Sequence, residues 1–183
     1  MKDVVFVTGN PNKAQYLADL IGMPIDHHAV ELDEIQSMDL REVASYKARQ
    51  AYGVVQRPVL VEDQGMFLPA LDGFPGPFIK FLVDDGKKIA HLVRILDGFN
   101  DRTAIARCVF VYFDGSSETV FESELHGQIA KEPKGDGGFG WDPVFIPDGY
   151  DGRTRAELSK AEDHATYMIA KPIDKVGKFL RDE

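Results

Sequence analysis

The segment VVFVTGNPNKAQYLADLIG (residues 4–22) predicts how the fold begins. Its apolar start is rich in β-branched side chains, which is typical of a buried parallel strand. Asn10 is a favourable helix N-cap, and Pro11 suits the first helical position. Apolar residues then recur at helical spacing as far as Gly22, which can end a helix. The segment therefore predicts a strand, a tight turn and a helix.

The same kinds of pattern predict the elements that follow. Asp39 heads a second helix, with Glu42 three residues on as in a capping box. Val59–Val61 form another short buried strand, and two alternating stretches on either side of Asp114-Gly115 predict a β-hairpin over 103–129. The other expected elements are strands over 25–30 and 144–146, helices over 78–82 and 89–96, and two C-terminal helices, the second beginning near residue 172.

Composition and charge narrow the class of protein. The chain has 183 residues, of which 44% are hydrophobic and 28% charged, as in ordinary globular proteins. The formal net charge is −9, so the chain lacks the basic surface of a duplex nucleic-acid binder, and an acidic surface is repelled by anionic membranes. An acidic protein binds a phosphate ester through local cations, helix N-termini or a metal. At this length we expect one domain over 1–183, or two lobes that share a core, and we expect its ligands to bind at a locally positive site.

Cysteine usage and the absence of targeting signals indicate a compartment. The single cysteine, Cys108, lies in a predicted strand, where we expect a small buried hydrophobe and no disulfide. The start of the sequence lacks the apolar stretch of a signal peptide. No apolar run approaches the ~18 residues that span a bilayer. We expect a cytoplasmic protein.

The first candidate binding element is the turn Thr8-Gly9-Asn10-Pro11-Asn12-Lys13. A strand-to-helix turn presents backbone N–H groups and the positive end of a helix, and Lys13 adds a mobile cation, which together suit a triphosphate. The turn matches neither a Walker loop nor a G-x-G-x-x-G turn. The alternative interpretation is a plain capped turn with a solvated lysine.

Carboxylates form the second candidate. Glu62-Asp63 follows the predicted strand over 59–61, at the rim where open α/β sheets bind ligands, and Glu34 lies in an acidic loop. Mg²⁺ usually takes one or two protein carboxylates together with substrate phosphates, and a carboxylate can also deprotonate a water. Glu42 competes with Glu34 as a ligand, but its capping role explains it. The alternative is that these side chains are merely solvated.

The third candidate is the glycine-rich stretch 135–143. Its glycines allow a close approach of the backbone, Phe139 and Trp141 offer faces for a planar base, and Asp142 offers an acceptor. The alternative is a flexible loop that its two aromatic residues anchor in the core. The five histidines are scattered and there is no G-x-S-x-G motif, so a zinc site and a serine triad are both disfavoured.

Taken in order, several motifs resemble the inosine triphosphate pyrophosphatase family, whose members hydrolyse nonstandard purine nucleoside triphosphates. The matching segments span nearly the whole chain. They are Phe6–Asn10 with Lys13, Val59–Asp63, Gly73–Lys80, Gly138–Phe145, Pro147–Tyr150 and Ala156–Glu162.

This resemblance implies an α/β fold that is elongated and two-lobed, with a long twisted mixed sheet, an active cleft between the lobes and a homodimer. It implies Mg²⁺-dependent hydrolysis of a nucleoside triphosphate to the monophosphate and pyrophosphate. Glu34 and Asp63 match metal ligands, and Asp63 is the candidate base for the attacking water. Phe139 matches the residue that stacks on the base. The other matching substrate positions are Thr8, Gly9, Asn10, Pro11, Asn12, Lys13, Lys47, Lys80, Gly140, Trp141, Asp142 and Lys160.

The chain departs from the family at one motif. Family members carry Ser-His-Arg shortly after the lysine matched by Lys160, and the His and Arg read the base. Gap-free alignment places Tyr167-Met168-Ile169 there, and no His-Arg pair follows Lys160. A blurred purine preference is the expected consequence. Two alternatives to the family's function remain: a pyrophosphatase with a relaxed or different base preference, and a catalytically silent nucleotide-binding module.

Overall fold

The computed structural model describes residues 2–84 and 86–183, and the sequence patterns account for most of its elements. Asn10 caps the first helix and Gly22 ends it in the left-handed conformation, at φ 68°, as predicted. The helices are α1 (Pro11–Ile21), α2 (Leu40–Val55), α3 (Ile79–Val83), α4 (Ile89–Arg94), α5 (Lys160–Ala170) and α6 (Ile173–Arg181), with 3-10 turns at Pro69–Leu71 and Arg155–Glu157.

Within the described residues the strands form one seven-stranded mixed sheet. Its strand order is β2-β1-β3-β5-β6-β7, and β4 pairs with β3 outside this path. β1 pairs in parallel with β2 and β3, whereas β4 and β7 pair antiparallel with β3 and β6. The predicted α/β class is therefore confirmed. The strands are β1 (Val5–Val7), β2 (Asp26–His28), β3 (Val59–Phe67), β4 (Pro75–Gly76), β5 (Thr103–Phe113), β6 (Glu118–Ile129) and β7 (Phe145–Pro147).

The third strand is longer than the sequence predicts. The parallel pairing of β3 with β1 ends at Val61, but β3 continues and pairs antiparallel with β4 at Met66 and Phe67. The polar residues after Val61 conceal this continuation, because they break the apolar run. Glu62 and Asp63 consequently lie inside the strand, whereas the sequence predicts them just beyond its end.

Contacts divide the chain into two compact units. The first comprises Met1–Asp63, Cys108–Ser123 and Lys171–Glu183, and the second Gln64–Arg107 and Glu124–Ala170. The core of the first unit includes Phe6 and Phe110, whose rings stack with centroids 6.1 Å apart. The core of the second unit gathers apolar side chains from its strands and from α3 and α4, and Trp141 packs against it. No helix in the described part of the chain has the length and apolar character to cross a membrane.

Candidate active site

The turn between β1 and α1 is ordered by its own side chains. The Asn10 Oδ1 atom accepts hydrogen bonds from the backbone N–H groups of Asn12 (3.0 Å) and Lys13 (3.4 Å). The Asn10 N–H group donates to Thr8 Oγ1 at 3.2 Å. Gly9, Asn10, Pro11 and Asn12 are exposed. The turn is thus a preformed helix N-terminus that faces solvent, which suits anion binding and is equally consistent with a plain capped turn.

In the first unit, Lys47 brings the two predicted metal ligands together. Its Nζ atom lies 2.9 Å from Glu34 Oε1 and 2.8 Å from Asp63 Oδ2. Burial disfavours the charged lysine, but the attraction and hydrogen bonds of the two carboxylates outweigh it and raise the pKa of Lys47. Two carboxylates from distant parts of the sequence therefore lie around one positive charge. The Glu34 side chain is 35% exposed and the Asp63 side chain 14%.

The neighbouring carboxylate, Glu62, belongs to a different cluster. Successive residues of a strand point to opposite faces, so Glu62 and Asp63 meet different partners. Glu62 forms an ion pair with Lys171 in which the two side chains are only 5% and 6% exposed. Lys13 Nζ lies 3.8 Å from the other Glu62 oxygen, Oε2. Glu62 thus forms a buried ion pair with Lys171, and the more exposed Lys13, a predicted phosphate-binding residue, lies beside it.

Cys108 and Lys171 both contact Glu62, but they differ in how well the sequence predicts them. Cys108 is 2% exposed, which confirms the expected buried position. Burial, reinforced by nearby Glu62, raises the pKa of its thiol well above the usual range, so the thiol stays protonated. Lys171 was missed by the sequence analysis. It lies between the two C-terminal helices, where no pattern distinguishes it from a solvated lysine.

In the second unit, Asp142 organises the glycine-rich loop. Its Oδ2 atom accepts from the Phe139 N–H group at 3.0 Å, and its Oδ1 atom accepts from Arg155 Nη1 at 3.1 Å. Asp142 is 3% exposed, so its carboxylate is turned into the loop. Gly138 has φ +70°, and a Cβ there would clash with Asp142 Oδ2. The loop therefore depends on a glycine at 138 and a carboxylate at 142.

The two aromatic residues of this loop have different environments. Trp141 packs against the core of the second unit, as the anchoring interpretation predicted. Phe139 does not, because its exposed fraction is 65%. An aromatic ring this exposed, on a loop that Asp142 holds in place, is available to stack on a planar group. Gly140, also in this loop, has φ +61°.

The remaining candidates of the second unit lie on its helices. Lys80 is exposed on α3, and its Nζ atom lies 5.1 Å from the centroid of the exposed Phe81 ring. Lys160 is exposed at the first residue of α5. Tyr167, Met168 and Ile169 lie near the end of that helix, and Ile169 is 52% exposed. Arg155, which the sequence analysis did not single out, connects α5 to the glycine-rich loop.

The described residues contain no group of three or more His, Cys, Asp or Glu side chains that could hold a metal ion. The Glu34 and Asp63 pair is compatible with Mg²⁺, which typically takes one or two protein carboxylates and completes its octahedron with water and substrate phosphates.

The profile of the Ham1 family matches residues 4–179. The chain belongs to the Ham1 family. Among its relatives, the inosine triphosphate pyrophosphatase of Emericella nidulans is 38% identical over 189 residues, covering 100% of this chain and 99% of the relative. The dITP/XTP pyrophosphatase of Methanopyrus kandleri is 38% identical over 184 residues, covering 98% of this chain and 96% of the relative. These matches confirm the resemblance on which the sequence analysis relied.

The fold of this Ham1 family member also matches solved structures of Ham1 proteins. The HAM1 protein of Coxiella burnetii superimposes with a TM-score of 0.87 at 25% identity, and each chain covers 100% of the other. The dITP/XTP pyrophosphatase of Mycobacterium abscessus gives a TM-score of 0.81 at 25% identity, covering 94% of this chain and 97% of that structure. The seven-stranded mixed α/β architecture is thus that of the Ham1 proteins.

Proposed function

We propose that this chain is a nonstandard purine nucleoside triphosphate pyrophosphatase. It would hydrolyse inosine, deoxyinosine and xanthosine triphosphates to the monophosphate and pyrophosphate. This reaction would remove nonstandard nucleotides from the nucleotide pool. Full-length relatives at 38% identity bear these activities in their names. The observation in the structure that carries the proposal is the meeting of Glu34 and Asp63 at Lys47 Nζ, at 2.9 and 2.8 Å.

Glu34 and Asp63 are the proposed ligands of Mg²⁺. Both offer hard carboxylate oxygens, and both already lie around one cationic atom, so the donor set fits this ion. When bound, Mg²⁺ neutralises the charge that develops on the phosphates. Lys47 would exchange part of its contact with the carboxylates for contact with a phosphate oxygen.

Asp63 is the proposed general base. Its carboxylate would accept a proton from the attacking water as the water oxygen bonds to phosphorus, and the bond between the α and β phosphates would break with pyrophosphate as the leaving group. Lys47 beside Asp63 favours the ionised carboxylate that this role requires. Catalysis then consists mainly of positioning and charge neutralisation.

The remaining site residues are proposed to bind the substrate. In the first unit the turn Thr8–Lys13 would receive phosphates, and in the second unit Lys80 and Lys160 would supply further positive charge. Phe139 would stack on the base, with Gly140, Trp141 and Asp142 shaping its pocket. Local positive groups of this kind would let a chain of net charge −9 bind a polyanion. The cleft between two lobes, the homodimer, the single domain over 1–183 and the cytoplasmic location stay predictions.

A second candidate function is a pyrophosphatase with relaxed base preference, and α5 favours it. Met168 and Ile169, which stand where the family reads the base, have no hydrogen-bond donor in their side chains. Stacking on an exposed aromatic ring does not discriminate between bases. A catalytically silent binding module is disfavoured, because a pure binder gains little from a pair of carboxylates at its phosphate site.

The deciding experiment is a nucleotide panel. The ratio kcat/KM would be measured for ITP, XTP, dITP, ATP and GTP with Mg²⁺, with EDTA as the metal-free control. We expect Mg²⁺-dependent pyrophosphate release from ITP, and an advantage of ITP over ATP well below the roughly 10⁴-fold that a pocket of matched hydrogen bonds achieves. An advantage near 10⁴ would refute the relaxed preference, and no turnover of any nucleotide would refute the enzyme.

A further inference from the structure

Arg155 is a largely buried arginine with three directed contacts. Its side chain is 10% exposed. Nη1 donates to Asp142 Oδ1 at 3.1 Å, Nε donates to Thr166 Oγ1 at 3.1 Å, and Nη2 pairs with Asp163 Oδ1. Only a planar guanidinium presents donors in three fixed directions, so a lysine could not replace all of these bonds. Arg155 thereby joins the glycine-rich loop to helix α5.

The contact with Asp142 continues to the exposed ring of Phe139. The second oxygen of Asp142 accepts from the Phe139 N–H group at 3.0 Å, so the guanidinium, the carboxylate and the backbone of Phe139 form one chain of bonds. Backbone bonds run alongside it, from Gly137 N–H to Ala156 O at 3.1 Å and from Ala156 N–H to Asp142 O at 3.3 Å. The loop is therefore held by the segment that carries Arg155.

The other end of the Arg155 side chain reaches the helix from which base-reading residues are missing. Thr166, which is fully buried, receives the Arg155 Nε bond one residue before the Tyr167-Met168-Ile169 segment. Ionised donors and acceptors make hydrogen bonds about twice as strong as neutral ones, so these contacts fix the loop against α5 firmly.

We propose that Arg155 is a positioning residue for the nucleotide base: through Asp142 it holds the glycine-rich loop against α5 so that the Phe139 ring stays in place to stack on a purine. This inference rests on the proposed function. Arg155 acts through other residues, because its donors already engage Asp142, Asp163 and Thr166. Its loss should weaken binding of the base and leave binding of the phosphates unchanged.

Arg153 provides a matched control. It lies two residues away and pairs with Glu162 in the first turn of the same helix, with Arg153 Nη2 2.6 Å from Glu162 Oε1. Its side chain is 38% exposed, in contrast to 10% for Arg155. Arg153→Met therefore removes an arginine that reaches α5 at the surface, and Arg155→Met removes the one that also reaches the loop.

Two readouts separate a positioning role from general stability. Trp141 is the single tryptophan of the chain and adjoins Asp142, so acrylamide quenching of its fluorescence reports on the loop without any substrate. Inorganic tripolyphosphate, a competitive probe without a base, reports on the phosphate site. Arg155→Met should increase the quenching of Trp141 and raise KM for ITP at least about tenfold, the lower end for losing a hydrogen bond to a charged group. Inhibition by tripolyphosphate should change less than about twofold.

Arg155→Lys is a second variant for the case that Arg155→Met does not fold. It keeps a positive charge beside Asp142 but not the planar fork, so it should fold, as far-UV circular dichroism would show, and have an intermediate KM. Arg153→Met should match the wild type in every readout. The inference is overturned if Arg155→Met and Arg155→Lys match Arg153→Met in KM and quenching, or if ITP and tripolyphosphate weaken equally. If the wild type turns over no nucleotide, the proposed function fails, and the quenching of Trp141 alone decides whether Arg155 positions the loop.

Discussion

Removing the partner of a buried charge should strongly destabilise the protein, and Lys171 offers a clear case. Lys171 and Glu62 have side chains 6% and 5% exposed, and their charged groups are in direct contact. Lys171→Met keeps a long apolar side chain in place but leaves the Glu62 carboxylate buried without its main counter-charge. The residual attraction comes from Lys13, whose Nζ atom is 3.8 Å from Glu62 Oε2.

The structure sets the size of the effect. Breaking a buried ion pair by removing one partner costs about 3–5 kcal/mol in the free energy of unfolding. Because Lys13 remains near Glu62, we expect about 3 kcal/mol, the lower end of that range. In a chain of this length that corresponds to a fall in Tm of roughly 6–12 °C. The double variant Glu62→Met/Lys171→Met leaves neither charge and should recover most of the loss, because a well-packed apolar pair is often as stable as a buried ion pair.

Urea unfolding followed by circular dichroism measures these differences. Lys175→Met is the matched control, since Lys175 is exposed on α6 and donates to a backbone oxygen, that of Glu122, at 3.3 Å. It should cost less than about 0.5 kcal/mol. If Lys171→Met costs no more than Lys175→Met, or if the double variant is less stable than Lys171→Met, then an unpaired buried Glu62 carboxylate does not destabilise the protein.

Three further predictions concern the candidate site. Lys13→Ala should raise KM for every triphosphate by a similar factor, since a charged hydrogen bond to phosphate contributes about 1.5–3 kcal/mol; a loss confined to one base, in the same steady-state assay, would place Lys13 elsewhere. Glu34→Gln should increase the Mg²⁺ concentration for half-maximal activity, and an unchanged Mg²⁺ titration would exclude Glu34 as a ligand. Gly138→Ala should lower the free energy of unfolding more than Gly140→Ala: both have positive φ, which costs about 1–2 kcal/mol, but only at 138 would the new Cβ meet Asp142. Equal losses in thermal unfolding would contradict that contact.

Local signals explain which parts of the fold could be predicted. Asn10 caps its helix through bonds to residues two and three positions away, and Asp114 closes the hairpin turn through the N–H groups of Ser116 and Ser117. Such bonds depend on neighbouring residues, so the sequence pattern contains them. The true length of β3 depends on pairing with Pro75 and Gly76, which a local pattern does not reveal.

The same distinction holds for the candidate site. The carboxylates Glu34 and Asp63 are candidates from their positions in the sequence, Lys47 is a candidate only through the family resemblance, and the structure brings all three into contact. Lys171 was missed because its partner Glu62 lies 109 residues earlier, and neither burial nor pairing is visible from Lys171 itself. Arg155 was missed for a similar reason, since its role depends on a loop and a helix folding onto it.

Phosphorus NMR in the presence of Mg²⁺ would identify the products that the wild type and Asp63→Asn release from inosine triphosphate, and so test whether the chain is a pyrophosphatase that uses Asp63 as its base. The wild type should give inosine monophosphate and pyrophosphate in equal amounts. Asp63→Asn is nearly isosteric, so it should retain the circular dichroism of the wild type while its turnover falls by at least about 100-fold, as expected for loss of a general base. Release of inosine diphosphate and phosphate by the wild type would contradict pyrophosphatase chemistry, and turnover of Asp63→Asn close to that of the wild type would contradict Asp63 as the general base.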